Sequence, residues 1–273
     1  MIQWAVSIGR FDVQSAIMTL SSFRAMPRRG HLDRVKRVVG YLRSMKHFKL
    51  RFRTSIPDYS SLSEPDQDWS KSVYEQQVEI LPHDAPDPLG ETIRITSHFD
   101  ASLMHDVLSG KSVTGIIHYF NAFPIESFCK KPPTVECATY SAEFIAGRTC
   151  FEQIIELRNY LCYLGVPLDN KTFVFGDNKT MIESSKFPAS QLRKRHHILS
   201  YHYVRSIMAT NIISLHHLAS ESNSADINTK FWSYNKVYRS ILKPLFHCKG
   251  DTAQCFDLWD LDGKKLSFQE SGE

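Results

Sequence analysis

Short apolar runs and longer helix-patterned runs alternate between residues 92 and 244, and this order is the strongest constraint on the fold. Runs of β-branched and aromatic residues predict strands, and apolar positions spaced at 3.6 residues predict helices. The first three strands follow one another closely, as in an antiparallel meander, whereas helices separate the later ones, as in parallel crossovers. The chain is therefore predicted to form a mixed α/β sheet. Its elements are strands at 92–97, 113–120 and 125–129, a helix at 138–163, a strand at 171–176, helices near 178–186 and 194–209, a strand at 212–218, and a helix from 224 to about Pro244.

Charge is distributed unevenly along the chain, although the formal net charge is only +4. Residues 24–53 contain eleven Lys or Arg and one acid, a net +10, whereas 54–92 contain nine acids and one base, a net −8. Within the basic stretch, 31–46 has the apolar spacing of an amphipathic helix, and an earlier helix is expected within 4–23. The basic helix indicates either a polyanion-binding surface or a solvated helix face. Repeated Pro, Asp and Ser residues in 55–91 favour a linker or irregular insertion.

Composition excludes several classes of protein. With 42% hydrophobic and 23% charged residues, the chain resembles ordinary globular domains rather than disordered segments. Its six cysteines contain no CxxC pair, which favours free thiols in a reducing compartment. No apolar run reaches the roughly 18 residues of a membrane span, and the N-terminus lacks the pattern of a secretory signal. We therefore expect an intracellular protein, cytoplasmic or nuclear, without a membrane partner.

Four acids stand beside predicted strands or on predicted helices. Asp100 follows the first strand, Glu143 lies on the long helix, Asp177 follows the fourth strand and Asp226 begins the last helix. The acids are 43, 34 and 49 residues apart, so only the fold could bring them together. Taken singly, each acid could equally cap a helix or lie exposed on one. Together, four carboxylates at one edge of a sheet would suit Mg²⁺, and two such ions roughly 4 Å apart can promote in-line phosphodiester hydrolysis.

Six sequence words occur in an order that indicates a family. They are D-A at 100–101, G-K-S-V-T-G at 110–115, K-K-P-P-T-V-E-C-A-T-Y-S-A-E-F-I-A at 130–146, G-D-N-K-T-M-I at 176–182, R-H-H-I-L-S-Y-H-Y-V-R at 195–205 and A-D-I-N-T-K at 225–230. In this order the words resemble the ribonuclease H domain of copia-type retrotransposon polyproteins. The word V-K-R-V-V-G-Y-L-R at 35–43 resembles the segment between polymerase and ribonuclease H in the same polyproteins.

The resemblance implies a fold, a chemistry and a site. The implied fold is a ribonuclease H-like mixed five-stranded sheet flanked by helices and preceded by a small helical segment. Asp100, Glu143, Asp177 and Asp226 match the family's metal-binding acids, which implies two Mg²⁺ ions, with Mn²⁺ as a substitute. The implied reaction is hydrolysis of the RNA strand of an RNA–DNA hybrid, and the polymerase domain of a reverse transcriptase is an implied partner.

Other residues are candidates for contacts to nucleic acid. They are Lys111, Ser112, Asn178, Arg193, Lys194, Arg195, His197 and Lys230, mostly within the matching words. A basic run such as 193–195 suits phosphate contacts but could also be a solvated helix face. His202 is as well explained by packing. A zinc site at the histidine pairs 196–197 and 216–217 is disfavoured, because it has neither a Cys partner nor suitable spacing.

The chain departs from the family pattern at several positions, none of them one of the four acids. Ser102 stands where many relatives carry a second Asp, Phe128 stands where Trp is common, Pro132–Pro133 replaces a polar pair, and His216–His217 is an unusual pair. These changes put the rate in question more than the chemistry.

The predicted organisation has four parts: a helical remnant of the reverse transcriptase at 1–54, an acidic linker or insertion at 55–91, a ribonuclease H-like domain at 92–246, and a tail at 247–273. The chain contains no Y-x-D-D polymerase word, so it is expected to be the C-terminal fragment of a reverse transcriptase that cannot copy nucleic acid by itself. It would act in the cytoplasm, in the nucleus or within retroelement particles. Two alternatives stay open: a catalytically idle nucleic-acid-binding remnant, and, less favoured, an integrase-type nuclease.

Overall fold

The structure, a computed structural model, describes residues 2–62, 67–80, 82–192, 197–230 and 245–247, and the backbone of 258–259 and 265–266. The chain divides into two compact units: Met1–Arg51 with Trp232–Glu273, and Phe52–Phe231. In the described part of the chain, no helix has the length and apolar run that crossing a bilayer requires. The domain boundaries predicted from the sequence stay a prediction.

A five-stranded sheet forms the centre of the second unit. Its strands are β2 (Ile95–Asp106), β3 (Lys111–Phe120), β4 (Phe123–Lys130), β5 (Thr172–Gly176) and β6 (Ile213–His217). They lie in the order β4-β3-β2-β5-β6. Strands β2, β3 and β4 pair antiparallel, whereas β5 pairs parallel with both β2 and β6. The predicted mixed five-stranded sheet is therefore confirmed.

Among the described residues, four α-helices accompany the sheet: α4 (Thr139–Tyr163), α5 (Lys179–Lys186), α6 (Ile198–Met208) and α7 (Asp226–Thr229). The long helix α4 supplies much of the core, and its Phe144, Phe151 and Ile154 side chains are fully buried. They belong to the same apolar cluster as Phe99 and Val174 of the sheet. Burial of such side chains stabilises each by roughly 1.5–3 kcal/mol relative to exposure, so α4 is firmly held against the sheet.

Strand β2 is longer than the sequence pattern predicted. It continues from Ile95 to Asp106 instead of ending at residue 97, so Asp100 lies inside the strand rather than after it. Residues 98–106 continue the strand because β3 pairs with it up to Ser102 and again at Asp106. The register shifts between these two positions, and Met104 adopts a left-handed conformation there (φ 52°). Such a bulge leaves extra residues of one strand unpaired and bends that strand locally.

The acidic segment packs against the sheet unit although its backbone is irregular. Trp69 is only 2% exposed and belongs to the main apolar core. The Arg158 guanidinium donates to both carboxylate oxygens of Glu79, at 2.6 and 2.7 Å. The Gln76 side-chain amide donates to the Ala209 carbonyl at 2.9 Å. The segment therefore contributes to the fold rather than only connecting two parts.

The first unit is small and mainly helical. It contains α1 (Ile2–Ser7), α2 (Gln14–Ser21), α3 (Arg29–Ser44) and the strands β1 (Lys49–Leu50), β7 (Phe246–His247), β8 (Leu258–Trp259) and β9 (Lys265–Leu266). The helix predicted within 4–23 is divided at Gly9, whose positive φ of 104° interrupts a helix. Strands β1 and β7 pair antiparallel and form a two-stranded sheet of their own.

Helix α3 agrees with the predicted basic helix but buries little. None of its residues is buried, and Leu32 and Val39 are 53% and 49% exposed. The charged residues on it therefore stand in water, where they can meet a partner or simply be solvated.

Candidate metal centre

Three of the four predicted acids converge at one edge of the sheet. In the parallel pairing of β2 with β5, Thr96 is opposite Phe173 and His98 is opposite Phe175. Continued by two residues, this register places Asp100 level with Asp177, directly after β5. Glu143, near the start of α4, completes the group, and one carboxylate oxygen from each acid lies within 4.8 Å of the others.

The three acids line an open cavity of about 480 Å³. The other polar side chains of its lining are Thr139, Asn178, Lys179, His217 and Lys230. The two lysines add positive charge to the lining, Lys179 as an exposed residue and Lys230 beside the acids, whereas the three carboxylates concentrate negative charge at one place. The cavity therefore suits a cation at its acidic centre and an anionic group nearer the lysines.

Burial and mutual repulsion act on these carboxylates. Burial, and then the charges of Asp100 and Asp177, hold the pKa of Glu143 well above its usual range. Burial also raises the pKa of Asp100, opposed by Lys230 and assisted by Asp177. A group of carboxylates placed this way is costly unless a cation compensates its charge.

The donor set fits a hard divalent cation. Glu143 accepts a hydrogen bond from the backbone N–H of Ala101, but its buried Oε2 has no hydrogen-bond partner among the described residues. A buried oxygen without a donor is an available ligand atom. Carboxylate oxygens are the ligands that Mg²⁺ and Mn²⁺ prefer, so Asp100, Glu143 and Asp177 fit such an ion.

Helix α7 reaches the centre because residue 115 is glycine. Gly115 lies opposite Asp100 in the β2–β3 pairing. A Cβ atom there would lie 2.7 Å from Thr229 Cγ2 and 2.8 Å from the Ala225 carbonyl oxygen. The Asn228 side-chain amide also donates to Ser127 Oγ at 2.8 Å and holds α7 against the sheet.

The fourth predicted acid, Asp226, faces a lysine. Its Oδ1 accepts a hydrogen bond from Lys230 Nζ at 2.8 Å, and the same ammonium lies 3.8 Å from Asp100 Oδ1. Burial first, and then the charge of Asp100, raises the pKa of Asp226 to about 7. Asp226 is fully buried but is not one of the three acids that meet within 4.8 Å. That all four acids hold metal stays a prediction.

Two hydroxyl groups orient the acids, and sequence reasoning identified neither. Ser220 donates to Asp177 Oδ2 at 2.5 Å, and Thr229 donates to Asp100 Oδ2. Thr229 lies within the A-D-I-N-T-K word, which could have indicated it. Ser220 lies outside every matching word and carried no signal. His217, considered in the sequence only as a departure from the family pattern and in a disfavoured zinc site, lines the cavity.

The predicted nucleic-acid contacts are dispersed. Asn178 lines the cavity but also caps α5, because its side chain accepts from the Met181 N–H at 3.0 Å. Lys111 and Ser112 begin β3 and are not part of the cavity lining; Ser112 is buried. Lys230 lines the cavity beside the acids. Arg193, Lys194 and Arg195 lie outside the described residues.

Of the two histidines, His197 is buried and His202 is exposed. His197 is 4% exposed, its Nδ1 lies 3.2 Å from Ser141 Oγ, and its ring stacks on Phe144 at a centroid distance of 5.7 Å. His202 Nδ1 lies 2.6 Å from the Tyr74 hydroxyl. Its burial and contacts give the His197 ring a structural role, and the predicted contact of His197 with nucleic acid stays a prediction.

Sequence comparison finds relatives among transposon polyproteins, although no family model matches. The chain is 25% identical over 235 residues to the retrovirus-related Pol polyprotein from transposon TNT 1-94 of Nicotiana tabacum. It is 22% identical over 221 residues to those from transposons RE2 and RE1 of Arabidopsis thaliana. The alignments cover 86% and 81% of this chain but only 15% and 13% of the polyproteins.

Solved structures with some likeness to the chain are ribonuclease H domains. RNase H1 from the halophilic archaeon Halobacterium salinarum NRC-1 is 13% identical, and the match covers 50% of this chain and 94% of that one, with a TM-score of 0.39. The N-terminal RNase H domain of rv2228c from Mycobacterium tuberculosis is 12% identical. That match covers 50% of this chain and 91% of the other chain, with a TM-score of 0.37.

The sequence relatives test the resemblance that the six sequence words predicted. They are Pol polyproteins of plant transposons, and each alignment includes most of this chain. The predicted resemblance is confirmed: the chain is similar to a part of the retrovirus-related Pol polyproteins of copia-type retrotransposons.

Proposed function

We propose that this protein is a metal-dependent endonuclease that hydrolyses the RNA strand of RNA–DNA hybrids. The observation that carries the proposal is the convergence of Asp100, Glu143 and Asp177 within 4.8 Å in an open cavity. Similarity to Pol polyproteins supports it, because reverse transcription produces such hybrids. The six sequence words support it as well, because the acids match the metal-binding positions of the family that they resemble.

Asp100, Glu143 and Asp177 would hold the metal. Bound there, Mg²⁺ would activate a water molecule and stabilise charge on the scissile phosphodiester. The chain's own residues orient the ligands: Thr229 fixes one Asp100 oxygen and Ser220 fixes one Asp177 oxygen. Such fixed orientation lowers the cost of rearranging the carboxylates when substrate binds.

The rim of the cavity suits a nucleic-acid backbone. Lys179, which is exposed in the cavity lining, is positioned to attract a phosphodiester toward the acids, which would otherwise repel it. His217 is exposed at the rim, where an imidazole can accept or donate a proton. Choice of the RNA strand would follow from the groove shape of the hybrid and from contacts to the 2′-hydroxyl group.

Cleavage of end-labelled substrates tests the proposal. An RNA–DNA hybrid labelled on either strand is compared with double-stranded RNA and double-stranded DNA of the same sequence, with Mg²⁺ or with EDTA. We expect cleavage of the RNA strand in the hybrid alone, and only with Mg²⁺. Equal cleavage of double-stranded DNA would overturn the substrate assignment, and binding of the hybrid without cleavage would support the idle nucleic-acid-binding remnant instead.

A further inference from the structure

We infer that Lys230 occupies the place of a second metal ion, so that the centre binds one divalent cation and uses a tethered ammonium as its other cation. The inference rests on the proposed function, since it concerns the same site. It departs from the two ions implied by the family resemblance. Its basis is where the ammonium lies relative to the four acids.

The acids divide into two groups in the structure. Asp100, Glu143 and Asp177 meet within 4.8 Å and make one cation site. A second ion would need Asp226 together with an oxygen of Asp100, the acid between the two groups. That position is taken, because Lys230 Nζ lies 2.8 Å from Asp226 Oδ1 and 3.8 Å from Asp100 Oδ1.

The position of the ammonium is fixed by the fold. Lys230 directly follows α7, four residues after Asp226, so the pair is the i,i+4 pair of one helical turn. The Lys230 backbone N–H also donates to the Asp226 carbonyl at 3.1 Å. Helix α7 is itself seated over Gly115, where a larger residue would collide with it. The Lys230 side chain is 34% exposed, less than a lysine on a free surface.

Charge compensation favours the same arrangement. The ammonium places a positive charge beside Asp100 and Asp226. This charge belongs to the chain itself, so no ion from solution is needed there. A divalent cation placed there would lie within a few ångströms of that ammonium and be strongly repelled by it. The two cations therefore exclude each other at this position, while the three-acid site remains available.

Counting bound Mn²⁺ tests the inference without relying on activity. Isothermal titration calorimetry and electron paramagnetic resonance give the number of ions bound to the full chain. Both measurements are made on the protein alone and on its complex with a non-cleavable hybrid that carries 2′-O-methyl RNA. The ions bound by the free hybrid are subtracted from the count for the complex. We expect one ion in both states. Two ions in the wild-type centre would overturn the inference.

Variants of Lys230 make the test specific. Lys230→Met removes the charge and should raise the number of bound ions from one to two, whereas Lys230→Arg keeps the charge and should leave one. Lys131→Met is the matched control, because Lys131 makes a comparable 2.8 Å ion pair with Asp106 outside the cavity. One ion in Lys230→Met, with an unchanged circular dichroism spectrum, would overturn the inference.

The outcomes separate this inference from the proposed function. Two ions in the wild type together with hybrid cleavage would overturn the one-ion inference and leave the proposed nuclease intact. One ion in the wild type and two in Lys230→Met, without any cleavage, would support the inference as a statement about the site and overturn the nuclease. No ion bound in any state would overturn both.

Discussion

The acid cluster and helix α3 arrange charge in opposite ways. Asp100 and Glu143 are each 1% exposed, and the acids of the cluster come from distant points in the chain. Helix α3 instead has its basic residues in one continuous stretch, and none of its residues is buried. A buried charge needs a defined position and a compensating partner, whereas exposed charges act collectively and are individually replaceable.

This difference predicts how each region responds to mutation. Removing one acid takes away one ligand position of the proposed metal site, and no other carboxylate replaces it. Removing one base from α3 changes only one of several exposed charges, and isolated surface charges contribute roughly 0–1 kcal/mol.

Neutralising one acid should abolish cleavage. For Asp100→Asn or Asp177→Asn we expect a loss of RNA-strand cleavage of about a thousandfold or more, because a ligand of the metal is lost. Hybrid affinity should survive, because phosphate contacts determine most of it. Without metal, the melting temperature of Asp177→Asn should rise, since the charge of Asp177 opposes ionisation of Glu143. Glu156→Gln, on the exposed side of α4, is the control and should cleave like the wild type. Full cleavage by both Asp variants would refute the proposed metal site.

Trp69→Ala tests whether the acidic segment stabilises the sheet unit. The buried indole belongs to the core shared with α4 and the sheet, so its loss should lower the free energy of unfolding by about 3–5 kcal/mol. Urea denaturation measures this change. The same measurement on Val73→Ala, at a side chain that is 87% exposed, should show a change of no more than about 0.5 kcal/mol. Equal stability of the two variants would mean that the segment is only a connection.

Helix α3 should respond only to combined changes. Replacing Arg34, Lys36, Arg37 and Arg43 by Gln should weaken hybrid binding, and the slope of log affinity against log salt should fall by up to about 3.6. Each single replacement should have a small effect, and the free energy of unfolding should barely change, because α3 buries none of these residues. Fluorescence anisotropy at several salt concentrations measures both quantities. An unchanged salt slope in the fourfold variant would favour a solvated face with no polyanion partner.

A buried histidine gives the sheet unit an acid sensitivity. Burial lowers the pKa of His118 to about 4, and its ring meets Ser97 Oγ at 2.7 Å and Gln153 Oε1 at 3.1 Å. Because the unfolded chain has a histidine pKa of about 6.5, the stability from neutral His118 is complete above that pH. As the pH falls from about 6.5 to about 4, this contribution is lost, and the free energy of unfolding decreases by roughly 1–3 kcal/mol.

His118→Gln isolates this contribution. Urea denaturation at pH 7.5, 5.5 and 4.5 should show a shallower loss of stability in the variant than in the wild type. Between pH 7.5 and 9 the two should be parallel, since the imidazole is neutral throughout. Identical slopes below pH 6.5 would show that His118 does not carry the effect.

Much of the fold followed from the sequence because local patterns determine strands and helices. The strand at 172–176 and the helix at 139–163 lie within a residue or so of their predicted bounds. The full length of β2 did not follow, because its second half mixes polar and apolar residues and is stabilised by pairing with β3 rather than by its own pattern. Trp69 was also missed, since a single aromatic in an acidic stretch carries no periodicity.

The expectation that the acids lie close together came from the family resemblance and not from spacing, because the acids are too far apart in the sequence for any local rule. The i,i+4 spacing of Asp226 and Lys230 was visible in the sequence. Its importance depends on where α7 lies, which Gly115 and Asn228 decide through contacts with distant strands. Ser220 could not have been found without the structure, since it reaches Asp177 across 43 residues.

Anomalous diffraction from crystals grown with Mn²⁺ tests the central claim most directly. We predict a peak within about 2.5 Å of oxygens of Asp100, Glu143 and Asp177 in the wild type, and no such peak in Asp177→Asn. A peak coordinated by Asp226 with Lys230 displaced would contradict the one-ion account. Crystals with ordered acids and no peak at the three carboxylates would contradict the metal centre itself.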